Sequence, residues 1–348
     1  MIKEKRQYNN IDLFKIIFAV VVVMIHTKPF ADISETASWY FSNTIANLAV
    51  PFFFVASGFL LFGKLINCDS DRRNEYVKKY LLHIVKMYLI WCVIWIPLKA
   101  LHFYSTGTFT FINCLLYIKD VILVSGGDAL WYLPALTIAV VIVYLLKYRF
   151  KMPNIAIIIL SFALYTFGCL ISSWYGIFTS ARLIDAYYRI FTTTDNGILY
   201  GIMFVSIGMV ITENKKETKP YFDILGFLIF FALLIFESNF INKSGLNFNG
   251  VCNNIMLPVT VFFMFRVILN INVKGDERIY RKLRDYSTII YLSHCIIIRC
   301  IKLVLGIVDI SLPYSLLFAV TLTLSFMFAI FVRYMNVVKK INLFMLLY

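Results

Sequence analysis

Charge is what this sequence has least of. Asp, Glu, Lys and Arg make up 15% of its 348 residues, where a soluble domain carries about 25%. Hydrophobic residues reach 61%, and the mean hydropathy is +0.80. That balance excludes an ordinary soluble enzyme. Paired cysteine motifs are also lacking. The seven cysteines (68, 92, 114, 169, 252, 295 and 300) are scattered, mostly in apolar runs, and none forms CxxC. They read as free packing thiols rather than a disulfide framework or a metal cluster. Histidine is scarce too: the four at 26, 83, 102 and 294 are too dispersed to argue a zinc site, and no metal is expected. A soluble domain has no room, because the longest polar connection, about 67–79, is too short to fold alone.

What the chain has in abundance is membrane-length apolar sequence. A helical span needs roughly 20 mainly apolar residues. About ten runs qualify, near 10–28, 45–66, 80–98, 130–147, 154–173, 196–213, 221–241, 251–272, 285–307 and 312–333. The run at 109–125 is short and bounded by charge, so it reads as interfacial or re-entrant. The first run lacks a small-residue cleavage site, so no removable leader is expected. The fold class is therefore all-α: a polytopic membrane helix bundle of about ten transmembrane helices. It is read as one domain over 1–340, with 341–348 as a short tail.

The net charge of +14 has a topological explanation. With the N-terminus inside and ten alternating spans, only Lys28, Lys99, Lys119, Arg182, Arg189 and Lys243 fall in outer loops. Lys15, Lys86, Arg266, Arg299 and Lys302 fall within spans, and the remaining Lys and Arg lie inside. Such a bias places both termini in the cytoplasm. Basic clusters at membrane edges meet anionic lipid, so the lipid bilayer is the expected partner and nucleic acid is not.

One feature stands out within the spans. Asp12, Lys15 and His26 lie on one otherwise apolar helix, with IIFAVVVVMI between the last two. Eleven steps of about 100° bring His26 back to within about 20° of Lys15, some 16 Å along the axis. Asp12 falls within about 60° of Lys15 by the same count. A polar stripe of this kind is costly in lipid, so it should face a bundle interior or a wet cavity.

Other motifs each carry a plain reading and a functional one. In FFFVASGFLL, small residues permit close helix packing, and Ser57 is also placed to line a cavity. Lys79, His83 and Lys86 open the third span. They serve topology and snorkelling, or they anchor the phosphates of a nucleotide-bearing donor from the inner face. Asp128, Trp131 and Tyr132 suit an aromatic belt or an acceptor contact. Asp195-Asn196-Gly197 reads as a turn with helix capping. Tyr291 and His294 share a helix face, as a structural hydrogen-bonding pair or as a second acid/base or acceptor-binding group.

These residues, in this order, resemble the acyltransferase-3 family of bacterial membrane acyltransferases over nearly the whole chain. The carrying segments are IDLFKIIFAVVVVMIH, FFFVASGFLL, the basic entry to span three, LWYLPAL, DNGILYGIMFVSIGMVI and STIIYLSHCII. Where the family shows an arginine, ten residues and a histidine, this chain has Lys15 and His26. LWYLPAL is similar to the Gram-positive branch that includes the membrane portion of vancomycin-resistance serine racemases.

The resemblance implies transfer of an acyl group, usually acetyl from acetyl-CoA, to a hydroxyl of a cell-envelope glycan or exopolysaccharide. His26 would be the base, Lys15 would stabilise the oxyanion or orient the donor, and Asp12 would hold Lys15. The co-substrate is acetyl-CoA or another acyl-CoA, with no permanently bound cofactor. The location implied is the bacterial plasma membrane. Lys for Arg at position 15 loses the planar bidentate fork. The longer arginine-rich motif at span three is replaced by Tyr80, His83 and Lys86. An alternative on the same scaffold is a transporter of a small molecule such as serine, or of a glycan.

Overall fold

A computed structural model describes residues 8–175, 182–213, 219–246, 253–308, 310–341, 345 and 347–348. Among them every regular element is helical. The helices are α1 Asn9–Thr27, α2 Glu35–Asn43, α3 Ala49–Leu65, α4 Ser70–Ser105, α5 Phe111–Leu123, α6 Tyr132–Tyr144 and α7 Asn154–Ile171. They continue with α8 Arg182–Phe191, α9 Ile202–Glu213, α10 Pro220–Lys243, α11 Leu257–Asn270, α12 Glu277–Ile307 and α13 Tyr314–Val337. One π turn extends α6 over Leu145–Arg149, and another opens α9 over Gly197–Gly201.

Eight helical stretches among the described residues are long and apolar enough to cross a membrane, counting α2 with α3 (Glu35–Leu65) and α6 with its π turn (Tyr132–Arg149) as one each. Gly197–Glu213 and Leu257–Asn270 are apolar but shorter. These ten correspond to the ten runs read from the sequence. Helix α5 has 13 residues, short of a span, in keeping with its interfacial reading. Helix α4 is 36 residues long, about 54 Å, and so outruns a hydrocarbon core of about 30 Å. Its first turns carry Arg72, Arg73, Lys78 and Lys79.

One expected span is cut short. Within the run at 251–272, the described residues 253–256 are not helical and α11 begins at Leu257. The side chains before it are engaged elsewhere: Asn253 donates to Asp195 at 2.7 Å, and Asn254 donates to Ser238 at 2.6 Å. Glu237 of α10 accepts from the backbone N–H groups of Ile255 and Met256 at 2.7 and 2.9 Å. A carboxylate there satisfies amides that would otherwise be orphaned just before a helix.

The chain divides into two compact units. The second comprises Val50–Glu217 and Gly226–Phe262. Helices α3 and α9 approach closely there. A Cβ on Gly208 would stand 2.2 Å from the Val55 carbonyl oxygen and 2.6 Å from the Phe59 amide nitrogen. A Cβ on Gly58 would stand 2.5 Å from the Val205 carbonyl oxygen. These are backbone atoms and cannot swing away. Gly208→Ala is therefore expected to force the helices apart and destabilise the protein by about 1–3 kcal/mol, read as a lower unfolding midpoint in detergent. An unchanged midpoint would contradict that packing. At the ends of α6, α7 and α9, Glu213 accepts from Lys147 at 2.7 Å and from Asn154 at 2.8 Å.

The first unit comprises Met1–Ala49, Thr218–Leu225 and Phe263–Tyr348. Its core is α1, α12 and α13. Two contacts fix the direction of α1 against α12: Asp12 faces Arg284 near one end, and His26 meets His294 toward the other. The two helices therefore run parallel. Helix α13 runs back antiparallel to them, bringing Arg333 to Asp285 at 3.4 Å and its start to the loop after α1.

That start has no side-chain cap of its own, because Pro313 precedes it. Asp32 supplies one, accepting from the backbone N–H groups of Tyr314 and Ser315 at 2.9 and 2.7 Å. The Ser315 hydroxyl first, then these backbone bonds, hold the Asp32 carboxyl below its usual range. A depressed carboxylate stabilises above its unfolded pKa and loses that contribution as pH falls through the folded value. The cap is thus intact at neutral pH and is released only in acid, as the carboxyl titrates below its ordinary range. Faster amide exchange at Tyr314 and Ser315 in acid, removed by Asp32→Asn, is the expected result.

Candidate active site

Helices α1 and α12 bring together two of the four histidines. The His26 and His294 rings lie 5.0 Å apart between centroids, tilted by 51°. His26 is exposed, near the end of α1, whereas His294 is fully buried in α12. The Tyr291 ring, one turn before His294, lies 6.2 Å from it.

The tautomer of His294 follows from its neighbours. Its Nδ1 is 3.1 Å from the Ile290 carbonyl oxygen, which only accepts. In the neutral ring Nδ1 therefore carries the proton, leaving a lone pair on Nε2. The Cys295 thiol stands 3.2 Å from that Nε2 and donates to it. The local order is carbonyl, imidazole, thiol, with a second imidazole alongside.

At the opposite end of the same helix pair lies a charged cluster. Asp12 is 4% exposed and lies 3.9 Å from Arg284. Lys15 acts on Asp12 from one turn along α1 and is half-buried. Asp285 sits between Arg284 at 3.9 Å and Arg333 at 3.4 Å. The stripe inferred for α1 is thus answered by one on α12: a cation at the start of the buried stretch and a histidine further along. Lys15 and His26 remain on one helix, about 16 Å apart along its axis, and the structure does not bring them into contact.

The other predicted residues belong to the second unit. Ser57 and Tyr132 meet there, their hydroxyls 3.1 Å apart, and the Tyr132 hydroxyl also donates to the Phe53 carbonyl at 3.2 Å. Trp131 packs beside them, 6.3 Å from Phe54 and 5.8 Å from Tyr200. Asp128 is exposed before α6. Lys79, His83 and Lys86 are all exposed on α4, and Lys79 is paired with Glu75. Asn196 caps the turn before α9, accepting from Ile198 and Leu199 at 2.9 Å each.

Several residues escaped the sequence reading. Cys295 adjoins His294 in sequence, yet a lone cysteine in an apolar span carries no signal. Arg284, Asp285 and Arg333 sit at span ends, where topology already accounts for charge. The pair of buried Asp223 and half-buried Arg266, 2.7 Å apart, could have been suspected from two opposite charges inside neighbouring spans.

Comparison with known proteins agrees with this architecture. A family model described as an acyltransferase domain matches residues 8–332. An amino-acid racemase of Enterococcus faecalis is 30% identical over 336 residues, which is 93% of this chain and 46% of that protein. A serine/alanine racemase of Enterococcus gallinarum is 27% identical over 290 residues, covering 82% of this chain and 40% of that protein. The chain thus spans less than half the length of these relatives. No solved structure matches significantly. With the family model covering nearly all of a helical, multi-pass chain, the protein belongs to the acyltransferase-3 family.

Proposed function

We propose that this protein is a membrane O-acyltransferase of the bacterial plasma membrane. It moves an acyl group, acetyl from acetyl-CoA in the first instance, to a hydroxyl of a cell-envelope glycan or exopolysaccharide. The observation that carries the reading is His26: an exposed imidazole on a buried-core helix, backed by His294 at 5.0 Å.

In this reading His26 removes the acceptor hydroxyl proton as the oxygen attacks the thioester carbonyl carbon. The carbon–sulfur bond then breaks, and the CoA thiolate leaves and takes up a proton. Lys15 orients the donor or meets the oxyanion charge, and Asp12 holds Lys15. Lys79, His83 and Lys86 receive the donor phosphates at the inner face. In the second unit Ser57, Asp128, Trp131 and Tyr132 serve acceptor binding; in the first, Tyr291 does, and the buried His294 backs His26.

The test supplies radiolabelled acetyl-CoA to membranes holding wild type or His26→Ala. Label reaching an envelope polymer only with wild type supports the proposal, whereas equal labelling sinks it. A second reading, passage of a small amino acid such as serine, draws on the racemase names of the relatives. It predicts labelled-serine uptake with no acyl transfer.

A further inference from the structure

We propose that His26, His294 and Cys295 form a binding site for a borderline divalent transition metal of the zinc class. One ligand atom from each residue can be chosen so that all three lie within 4.8 Å of one another. Tetrahedral zinc, with bonds of about 2.0–2.1 Å to nitrogen and about 2.3 Å to sulfur, sets its ligands about 3.3–3.6 Å apart. The Cys295 sulfur and His294 Nε2 are already at 3.2 Å. His26 is the exposed member of the group, and its ligand atom lies within the same 4.8 Å, so what remains is a short approach to bonding distance.

The surroundings match a metal-binding imidazole. Ligating histidines donate their other ring N–H to a carbonyl or carboxylate, which fixes the ring and aims its lone pair. The Ile290 carbonyl does this at His294. The ligand set selects the ion: thiolate and imidazole suit zinc, cobalt and copper, and magnesium and calcium require oxygen ligands. On binding, the Cys295 thiol loses its proton to solvent and its sulfur bonds the metal. Three protein ligands leave a fourth position for water, the layout of an open zinc site.

A bound ion occupies the His26 lone pair that the transfer reaction uses. Metal occupancy and acyl transfer are therefore mutually exclusive, a consequence that rests on the function proposed above. Binding itself does not depend on that reading.

The test uses the full chain, purified in detergent, with Co²⁺ and then Zn²⁺ as probes. Expected are one metal per chain and a thiolate-to-cobalt charge-transfer band that Cys295→Ser removes. His294→Gln is expected to weaken binding at least 10-fold. X-ray absorption of the zinc-loaded wild type needs no variant and should show one sulfur and two imidazole nitrogens. Absence of sulfur from that shell, or a cobalt band that survives Cys295→Ser, overturns the site. Labelled-acetyl transfer by metal-free protein is scored separately. Transfer without metal binding refutes this inference alone, and metal binding without transfer refutes the enzymatic reading alone.

Discussion

Replacing His26 with alanine is expected to lower acyl transfer by about 10²–10⁴-fold while leaving the protein folded. That range corresponds to about 2.7–5.5 kcal/mol of transition-state stabilisation. The loss should fall on kcat, because proton removal occurs in the transition state and donor binding does not require it. The side chain is exposed at the end of α1, so its removal opens no sealed core cavity. Donor affinity, measured by binding of unlabelled acetyl-CoA, should stay near wild type. Lys15→Met provides the contrast, because a donor-orienting cation acts through KM as well as kcat. A His26→Ala protein with wild-type turnover would remove the base from the mechanism.

The second large effect concerns stability. Asp223 is 2% exposed and meets Arg266 at 2.7 Å, with Asn270 donating to its other oxygen at 3.1 Å. Removing Arg266 leaves the buried Asp223 charge uncompensated, at a cost of about 3–5 kcal/mol. Arg266→Met should accordingly unfold well below wild type in detergent. Adding Asp223→Asn in the same chain should recover much of the loss, because the stranded charge is then gone. Equal midpoints for wild type and Arg266→Met would show that the pair contributes nothing.

Much of this architecture was legible because lipid simplifies the code. Runs of Val, Ile, Leu and Phe define helices by length, and scarce charges mark their ends. The polar stripe on α1 was legible for the same reason, because Lys15 and His26 are expensive wherever they do not face a partner. The partners were harder to read. That His26 meets His294 depends on α1 packing parallel to α12 from the far end of the chain, and no local pattern encodes it. Asn253 and Asn254, just before α11 begins at Leu257, are engaged by Asp195 and Ser238, contacts that hydropathy counts as ordinary apolar-run interruptions. Cys295 reads as an inert packing thiol in the sequence because nothing local reveals its contact with an imidazole nitrogen 3.2 Å away.

The pairing of α1 with the last helices also bears on how the protein is made. Asn10 donates to the Ile268 carbonyl, 258 residues later in the chain. At about 5–20 residues per second, a ribosome needs roughly 10–50 s to make the intervening segments. Throughout that interval α1 sits in the membrane with Asn10 and Asp12 lacking their native neighbours. Until then they must be held near the headgroups, by water or by the insertion machinery. The His26–His294 pair is thus among the last parts of the molecule to form. A chain released before α12 would carry His26 but no second imidazole beside it.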